Sequence, residues 1–490
     1  MEEKTKKNIF KFAILVTLFL VPRVLSMGPD ISNSDALRWH IRSLNFSNAM
    51  KKGNFADTYQ RYHPGVTLMW IGTIADTVLK ISQDPGQRAI LTMGNADYYP
   101  VFHGFSKLIL VLVISTLFVF QLYAINRLFG YRVALIYGII LSIEPYFIGI
   151  NRWFHLTSLE VMFSINSLLF LLLYFKQSKK MFLVLSALFC GLGVLTKMTV
   201  IITAFFNASV LVVRIIKKRE KLSVLLLYVL AALSTFYALF PALWTAPLMV
   251  FQKMSQALFN AVSDDPRGEL LSLWQKVFYY PIILLIKTSP LVFIIGLFSI
   301  FHNLKSSNFE AKIISIYFLT VLVFLSLSDQ KIDRYCLALI PSLILSLSVL
   351  VNERSKRILF SVVSLQLLTF LFSTFIYFPV YSAYINPIIP FNTVLSLGFY
   401  ENSGEYYSNT AMYLNEKGRE VKTLIPNNID SFKPYYKGII VDRKNDADYV
   451  VYGLDFDRPN FAYYEGCEPE KYFGNLIYKP LAVYKCKSRN

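Results

Sequence analysis

The fold turns on how residues 181–216, MFLVLSALFCGLGVLTKMTVIITAFFNASVLVVRII, are read. Only Lys197 separates an apolar run at 181–196 from a second at 198–216. A bilayer span needs about 20 mostly apolar residues. Read as one long helix, the stretch puts Lys176, Lys179 and Lys180 on the opposite side of the membrane from Arg214, Lys217, Lys218, Arg219 and Lys221. Read as two helices, it puts both clusters on one side. Short loops rich in Lys and Arg collect in the cytoplasm, so two helices are predicted.

Further apolar runs lie near 9–27, 106–125, 133–150, 156–175, 222–241, 280–301, 311–328, 335–351 and 357–378. With the central pair they give about eleven spans of the required length. Lys4, Lys6, Lys7 and Lys11 then join Arg127, Arg132, Lys305, Lys312, Arg354, Lys356 and Arg357 on the cytoplasmic side. This places the N-terminus inside and the C-terminus outside a plasma membrane. The first run has the basic start and apolar core of a signal peptide. No A-x-A-like site follows at Leu25-Ser26-Met27, so it reads as an uncleaved anchor.

Composition agrees. Of 490 residues 55% are hydrophobic and 16% charged, against about a quarter charged in soluble domains. That excludes an ordinary soluble enzyme and a disordered chain. The net charge of +18, from 49 basic and 31 acidic residues, sits largely in short loops. The expected partner is therefore the bilayer and not nucleic acid. Four cysteines without close pairing exclude a disulfide scaffold or zinc ribbon.

Three segments fall outside on this topology: roughly 28–105, roughly 242–279 with Trp244, Trp274 and Asp264-Asp265, and the tail. The division is a transmembrane module over 1–378 and an extracytoplasmic domain over 379–490. The apolar segment 66–80 is short and is expected to lie along the interface. In the tail, Ser408–Lys417 reads as a helix, and Val421–Ile425, Gly438–Val441, Tyr449–Leu454 and Leu481–Lys485 as strands, a small α/β domain. Cys467 and Cys486 both lie there, so a disulfide between them is allowed.

Polar residues mark the outer ends of the runs. Asp35 opens the first loop and His63 sits in Tyr62-His63-Pro64-Gly65. One carboxylate that reaches a hydroxyl suffices for a general base. The structural alternative is a helix cap and a turn residue. Glu144 falls in an apolar run, which makes it a functional candidate by default; the alternative is pairing with Arg152 or solvation at the interface. Lys197 follows Gly191 and Gly193, which permit close helix packing. It could meet a phosphate or simply extend to the surface. In Asp329–Tyr335, Arg334 offers a planar fork for phosphate oxygens and Lys331 a point charge; the alternative is a solvated turn. There is no P-loop, GxGxxG, CxxC or HExxH pattern. An enzyme here would not draw directly on cytoplasmic ATP or NAD.

Asp35-Ala36-Leu37-Arg38-Trp39, Tyr62 to Gly65, Arg152 to His155, Leu195-Thr196-Lys197, Phe240-Pro241-Ala242-Leu243-Trp244 and Lys331 to Tyr335 occur in that order. In these motifs the chain resembles the GT-C superfamily of membrane glycosyltransferases. The nearest group is the protein O-mannosyltransferase family (glycosyltransferase family 39) and its bacterial relatives that use a phospholipid-carried sugar. The likeness implies a GT-C-like polytopic helical fold and an inverting sugar transfer on the outer face. The donor would be a polyprenyl-phosphate sugar, with hexosyl or mannosyl transfer expected. The acceptor would be a protein, a lipid or a cell-envelope glycan. It implies that Asp35 is the catalytic base. Arg334, Lys331, Lys197 and Arg152 are the candidates for carrier phosphate, and His63, His155 and Glu144 for sugar or orientation. The chain departs from the pattern at Ala36, where relatives carry Glu, and at Thr157, where they carry Asp. It departs again at Glu144-Pro145, where they often have Asp-Pro. No metal site is predicted, and a divalent cation stays an open alternative. A carrier-lipid flippase or transporter and a non-catalytic envelope-assembly scaffold are the rival readings.

Overall fold

The computed structural model describes residues 2–80, 97–261, 271–455 and 461–486. The stretch around Lys197 forms two helices. Lys180–Thr196 stops at Lys197, whose backbone is extended (φ −154°, ψ 138°). A 3₁₀ turn, Met198–Val200, leads into Ile201–Ile216. Gly191 lets the first of these approach the Leu222–Leu239 helix: a Cβ there would lie 2.6 Å from the Ala232 carbonyl oxygen.

Among the described residues, seven helices are long and apolar enough to cross a membrane. They are Tyr99–Phe129, Leu156–Gln177, Met198–Ile216, Leu222–Leu239, Phe309–Leu327, Asp333–Asn352 and Lys356–Tyr377. The count becomes eight if Tyr131–Ser142 and Pro145–Asn151, bent by 70°, form one span. The chain is thus a multi-pass membrane protein, but the expected eleven spans are not reached by length and composition. Phe12–Val24, Lys180–Thr196 and Pro290–Lys305 are apolar and shorter. The reason is clearest in the run 280–301. Its helix breaks at Thr288-Ser289 before Pro290, leaving Leu273–Lys287 and Pro290–Lys305. Proline supplies no N–H and disfavours a helical residue before it. Pro145 breaks the run 133–150 in the same way.

Leu156–Gln177 and Asp333–Asn352 are almost wholly buried and form the centre of the bundle. Leu222–Leu239 and Lys356–Tyr377 expose large side chains, among them Leu230, Leu233, Phe360 and Phe375. Exposed apolar faces of this extent suit contact with lipid.

The segment expected outside over 28–105 is not a plain loop. It folds into Ala36–Lys51, a 3₁₀ turn at Phe55–Thr58 and Val66–Leu79. The tail carries a Tyr407–Asn415 helix and a five-stranded sheet. The strands are β1 (Lys422–Leu424), β2 (Ile439–Val441), β3 (Tyr449–Gly453), β4 (Cys467–Phe473) and β5 (Leu481–Cys486), in the order β2-β1-β3-β5-β4. β2, β1 and β3 run parallel; β5 lies antiparallel to β3 and β4. The sequence reading missed β4. It begins Cys-Glu-Pro-Glu-Lys, without apolar alternation. It is an edge strand with a register shift between Pro469 and Lys471, the position where a strand tolerates proline. Cys467 and Cys486 pair in register and are joined by a disulfide. Asp264-Asp265 lies outside the described residues.

Candidate active site

Asp35 sits immediately before the Ala36–Lys51 helix, and its N–H donates to Asn33 Oδ1 at 3.0 Å. Two groups from distant sequence reach its carboxylate. Arg334 Nη2 donates to Oδ2 at 3.1 Å. His155 Nε2 lies 3.4 Å from the same oxygen. His155 caps the Leu156–Gln177 helix, and its Nδ1 accepts the Thr157 N–H at 3.2 Å. The neutral ring therefore carries its proton on Nε2, facing Asp35. Thr157 also lies within hydrogen-bond distance of Nδ1 through its hydroxyl, at 2.9 Å.

The electrostatics follow from this contact set. Burial pushes the Asp35 carboxyl up, but the hydrogen bond from His155 and the charge of Arg334 outweigh it and hold it well below the usual carboxylate range. Burial is the main cause that lowers His155, and despite the raising effect of Asp35 it titrates at about 4. At neutral pH the site holds a carboxylate, a guanidinium and a neutral imidazole. The Asp35 side chain keeps 28% exposure while Arg334 has 12%, so the acid remains the accessible partner.

The other sequence candidates divide. His63 stacks on Tyr62 with ring centroids 4.2 Å apart. Burial first, then the charges of Lys197 and Arg61, lowers its pKa well below the ordinary histidine value. Lys197 pairs with Glu160 at 2.9 Å and lies 3.7 Å above the Tyr335 ring, next to Arg334. Lys331 points the other way: its Nζ donates to the Ser326 carbonyl at 2.8 Å, at the end of the Phe309–Leu327 helix.

Arg152 and Glu144 are engaged elsewhere. Arg152 donates to Asp30 Oδ2 at 2.8 Å and to the Pro22 and Ser26 carbonyls at 2.9 and 3.2 Å. Lys107 completes this buried cluster, donating to Asp30 Oδ1 at 2.7 Å. Arg152 therefore fastens the exit of the first helix, and the alternative of a Glu144 pairing with it does not form. Glu144 instead accepts the Ser289 N–H and hydroxyl, each at 2.8 Å, and the Gln366 amide at 2.9 Å. It ties one broken helix to the start of another.

Sequence reasoning missed four residues of this region, Glu160, Arg42, Arg61 and Glu401. Glu160 stands inside an apolar run, the same signal that singled out Glu144. Arg42 follows Arg38 along the Asp35 face of its helix, spacing that could have found it. Burial first, then the charge of Arg61, lowers the Arg42 guanidinium to about 10. Arg38 pairs with Asp430 at 2.8 Å. Neither Arg42 nor Arg61 meets a carboxylate within ion-pair distance among the described residues; they rest on the Trp39 and Tyr62 rings. The fourth is Glu401 in the tail, 3.6 Å from Arg334 Nη1. No local pattern announces it.

Below the site, Val161, Ile165, Val200, Ile202, Val321 and Leu325 line an apolar cleft whose enclosed part measures about 30 Å³. Glu160, Tyr317 and Tyr335 add polar groups to its wall. Among the described residues no group of three or more His, Cys, Asp or Glu is arranged to hold a metal ion.

The bundle thus carries an accessible carboxylate held by Arg334 and His155, with Arg42 and Arg61 nearby and, among the described residues, without a carboxylate in ion-pair distance. Residues 101–244 match the family described as dolichyl-phosphate-mannose-protein mannosyltransferase. The fold is similar to that of ArnT from Cupriavidus metallidurans. The apo structure is 13% identical over 99% of both chains, with a TM-score of 0.52. The structure bound to undecaprenyl phosphate is 15% identical over 88% of this chain and 74% of that one, with a TM-score of 0.50. No curated protein matches the chain in sequence. The resemblance to the GT-C membrane glycosyltransferases thus appears both in a family-matching stretch and in the fold.

Proposed function

We propose that the protein is an inverting glycosyltransferase that moves a sugar from a polyprenyl-phosphate carrier to an acceptor hydroxyl on the outer membrane face. The observation that carries this reading is Asp35: ionised, partly open to solvent, and oriented by Arg334 and His155. Asp35 accepts the hydroxyl proton while the oxygen attacks the anomeric carbon opposite the phosphate. The carbon–oxygen bond to the carrier breaks, its electron pair leaves with the phosphate, and the configuration inverts. Phosphate leaves without protonation, so one carboxylate suffices where glycoside hydrolysis uses two.

A carboxylate held this low is a weak base. It takes the proton late, once bond formation has acidified the hydroxyl. A carrier phosphate near Arg334 also shares the charge of its guanidinium, which strengthens the base when the donor is present without moving Arg334 from Asp35. Charge on the leaving phosphate is met by cations already in place. Arg334, Arg42 and Arg61 are assigned this role, with Lys197 behind them. His63 faces the sugar. The isoprenoid is assigned to an apolar groove between helices. ArnT's structure with undecaprenyl phosphate and the family match over 101–244 support a lipid-phosphate donor carrying a hexose such as mannose.

The test uses protein in nanodiscs with a panel of radiolabelled undecaprenyl-phosphate hexoses and membrane extract as acceptor. Release of free undecaprenyl phosphate by the native chain, lost in Asp35→Asn, is the expected result. Equal release by Asp35→Asn would reject the base; no release with any donor would reject the transferase reading.

A further inference from the structure

The tail reaches the site at a segment no sequence motif marked, Glu401-Asn402-Ser403-Gly404-Glu405. Both flanks of the Asp35–Arg334 pair are bound to it. The Asp333 N–H donates to Glu401 Oε2 at 2.9 Å. Arg334 Nη1 lies 3.6 Å from Glu401 Oε1 while Nη2 meets Asp35. On the other flank, the Ser34 N–H donates to the Ser403 carbonyl at 2.9 Å. Gly404 makes this approach feasible. Its φ is +112°, and a Cβ there would lie 2.8 Å from the Ser32 carbonyl oxygen.

Glu401 is 5% exposed and Arg334 12% on its side chain, so their interaction is little screened by water. The segment is itself held. Ser403 N–H donates to Glu405 Oε2 at 2.7 Å, Gly404 N–H to Asn402 Oδ1 at 3.0 Å, and Asn402 N–H to Asp455 Oδ1 at 3.2 Å beside β3. Two carboxylates from opposite ends of the chain thus share one guanidinium, each taking a different nitrogen. A fork held at both tines cannot rotate away from Asp35.

We propose that Glu401 is a positioning residue for the transfer reaction: it fixes Arg334 against Asp35, so that the C-terminal segment completes the catalytic unit. The proposal rests on the transferase reading above. It accounts for why a tail segment so far along the chain is fastened to Ser34 and Asp333, the neighbours of the two site charges. Glu401 touches neither donor nor acceptor; it acts through Arg334.

The experiment compares Glu401→Gln, Glu401→Asp and Asp35→Asn in the full-length chain, in nanodiscs, with the same radiolabelled undecaprenyl-phosphate hexoses. Misplacing a catalytic group by about 1 Å can cost about 10²-fold in rate. Glu401→Gln is therefore expected to lower kcat by about 10²-fold, with donor KM changed less than about threefold. Glu401→Asp, which keeps the charge, should recover most of the loss. Wild-type kcat in Glu401→Gln, or equal losses in kcat and donor affinity in both variants, would overturn the proposal. If Glu401→Gln does not fold, Glu401→Ala takes its place, and wild-type kcat in its folded fraction overturns the proposal. Activity surviving in Asp35→Asn would instead reject the transferase base, whatever Glu401 does.

Discussion

Arg334 and Asp35 are 299 residues apart in sequence and 3.1 Å apart in the fold. The pair joins the residue before the Ala36–Lys51 helix to the first turn of the Asp333–Asn352 span. It makes Asp35 a carboxylate that stays ionised well below the usual range, because Arg334 and His155 favour its charged form more than burial opposes it.

That balance sets the pH behaviour. Asp35 is depressed, so its contribution to stability is complete above its unfolded value of about 3.9 and is lost as pH falls through its lower folded value. His155, lowered to about 4 from about 6.5, also favours the fold in its neutral form. Its contribution declines as pH falls from about 6.5 towards that folded value, because the unfolded chain binds the proton first. Thermal midpoints measured against pH are expected to fall over this window, and His155→Gln should flatten the slope. Turnover should show no limb from Asp35 between pH 5 and 8. Arg334→Gln should move the acid limb upward as well as slow the reaction. A limb that stays in place would show that Arg334 does not control the base.

Arg42 and Arg61 are expected to act on donor binding. Each Arg→Ala change should raise donor KM about tenfold, equivalent to about 1.4 kcal/mol, with the double variant weaker than either. Binding of undecaprenyl phosphate in nanodiscs checks this directly. Unchanged affinity in both single variants would remove them from the phosphate site.

Arg152 should behave oppositely. Its partner Asp30, and Lys107 on the other Asp30 oxygen, are buried with it. Arg152→Met leaves Asp30 with Lys107 alone, and breaking a buried ion pair costs about 3–5 kcal/mol. The expected signature is a lowered unfolding midpoint with donor KM retained in the folded fraction. A selective rise in KM would return Arg152 to the carrier site.

The Cys467–Cys486 bond closes a short loop at the sheet edge. Loops of this size are stabilised by about 3 kcal/mol through lost freedom in the unfolded chain. Cys467→Ser is expected to lower the proteolytic resistance of the tail by a corresponding margin. The Glu401 contacts depend on that unit, so kcat should fall before donor binding does. Limited proteolysis and turnover on the same sample would separate the two effects.

Sequence by itself determined the bundle, because apolar runs and basic loops are local properties that a bilayer reads directly. It also singled out Asp35, His155, Lys197 and Arg334, since charged residues beside spans are conspicuous, and four of the five strands. It could not set the spans' continuity, because Pro145 and Pro290 act by removing hydrogen bonds that neighbours such as Glu144 then resupply. Tertiary structure alone decided which charges meet. Arg334 and, behind it, Arg152 are both phosphate candidates in sequence. Asp30 and three-dimensional packing consume Arg152, and Asp35 and Glu401 share Arg334. A charge's role depends on which opposite charge reaches it within a few ångströms in a medium of low dielectric, and contacts across some three hundred residues of chain leave no local pattern to read.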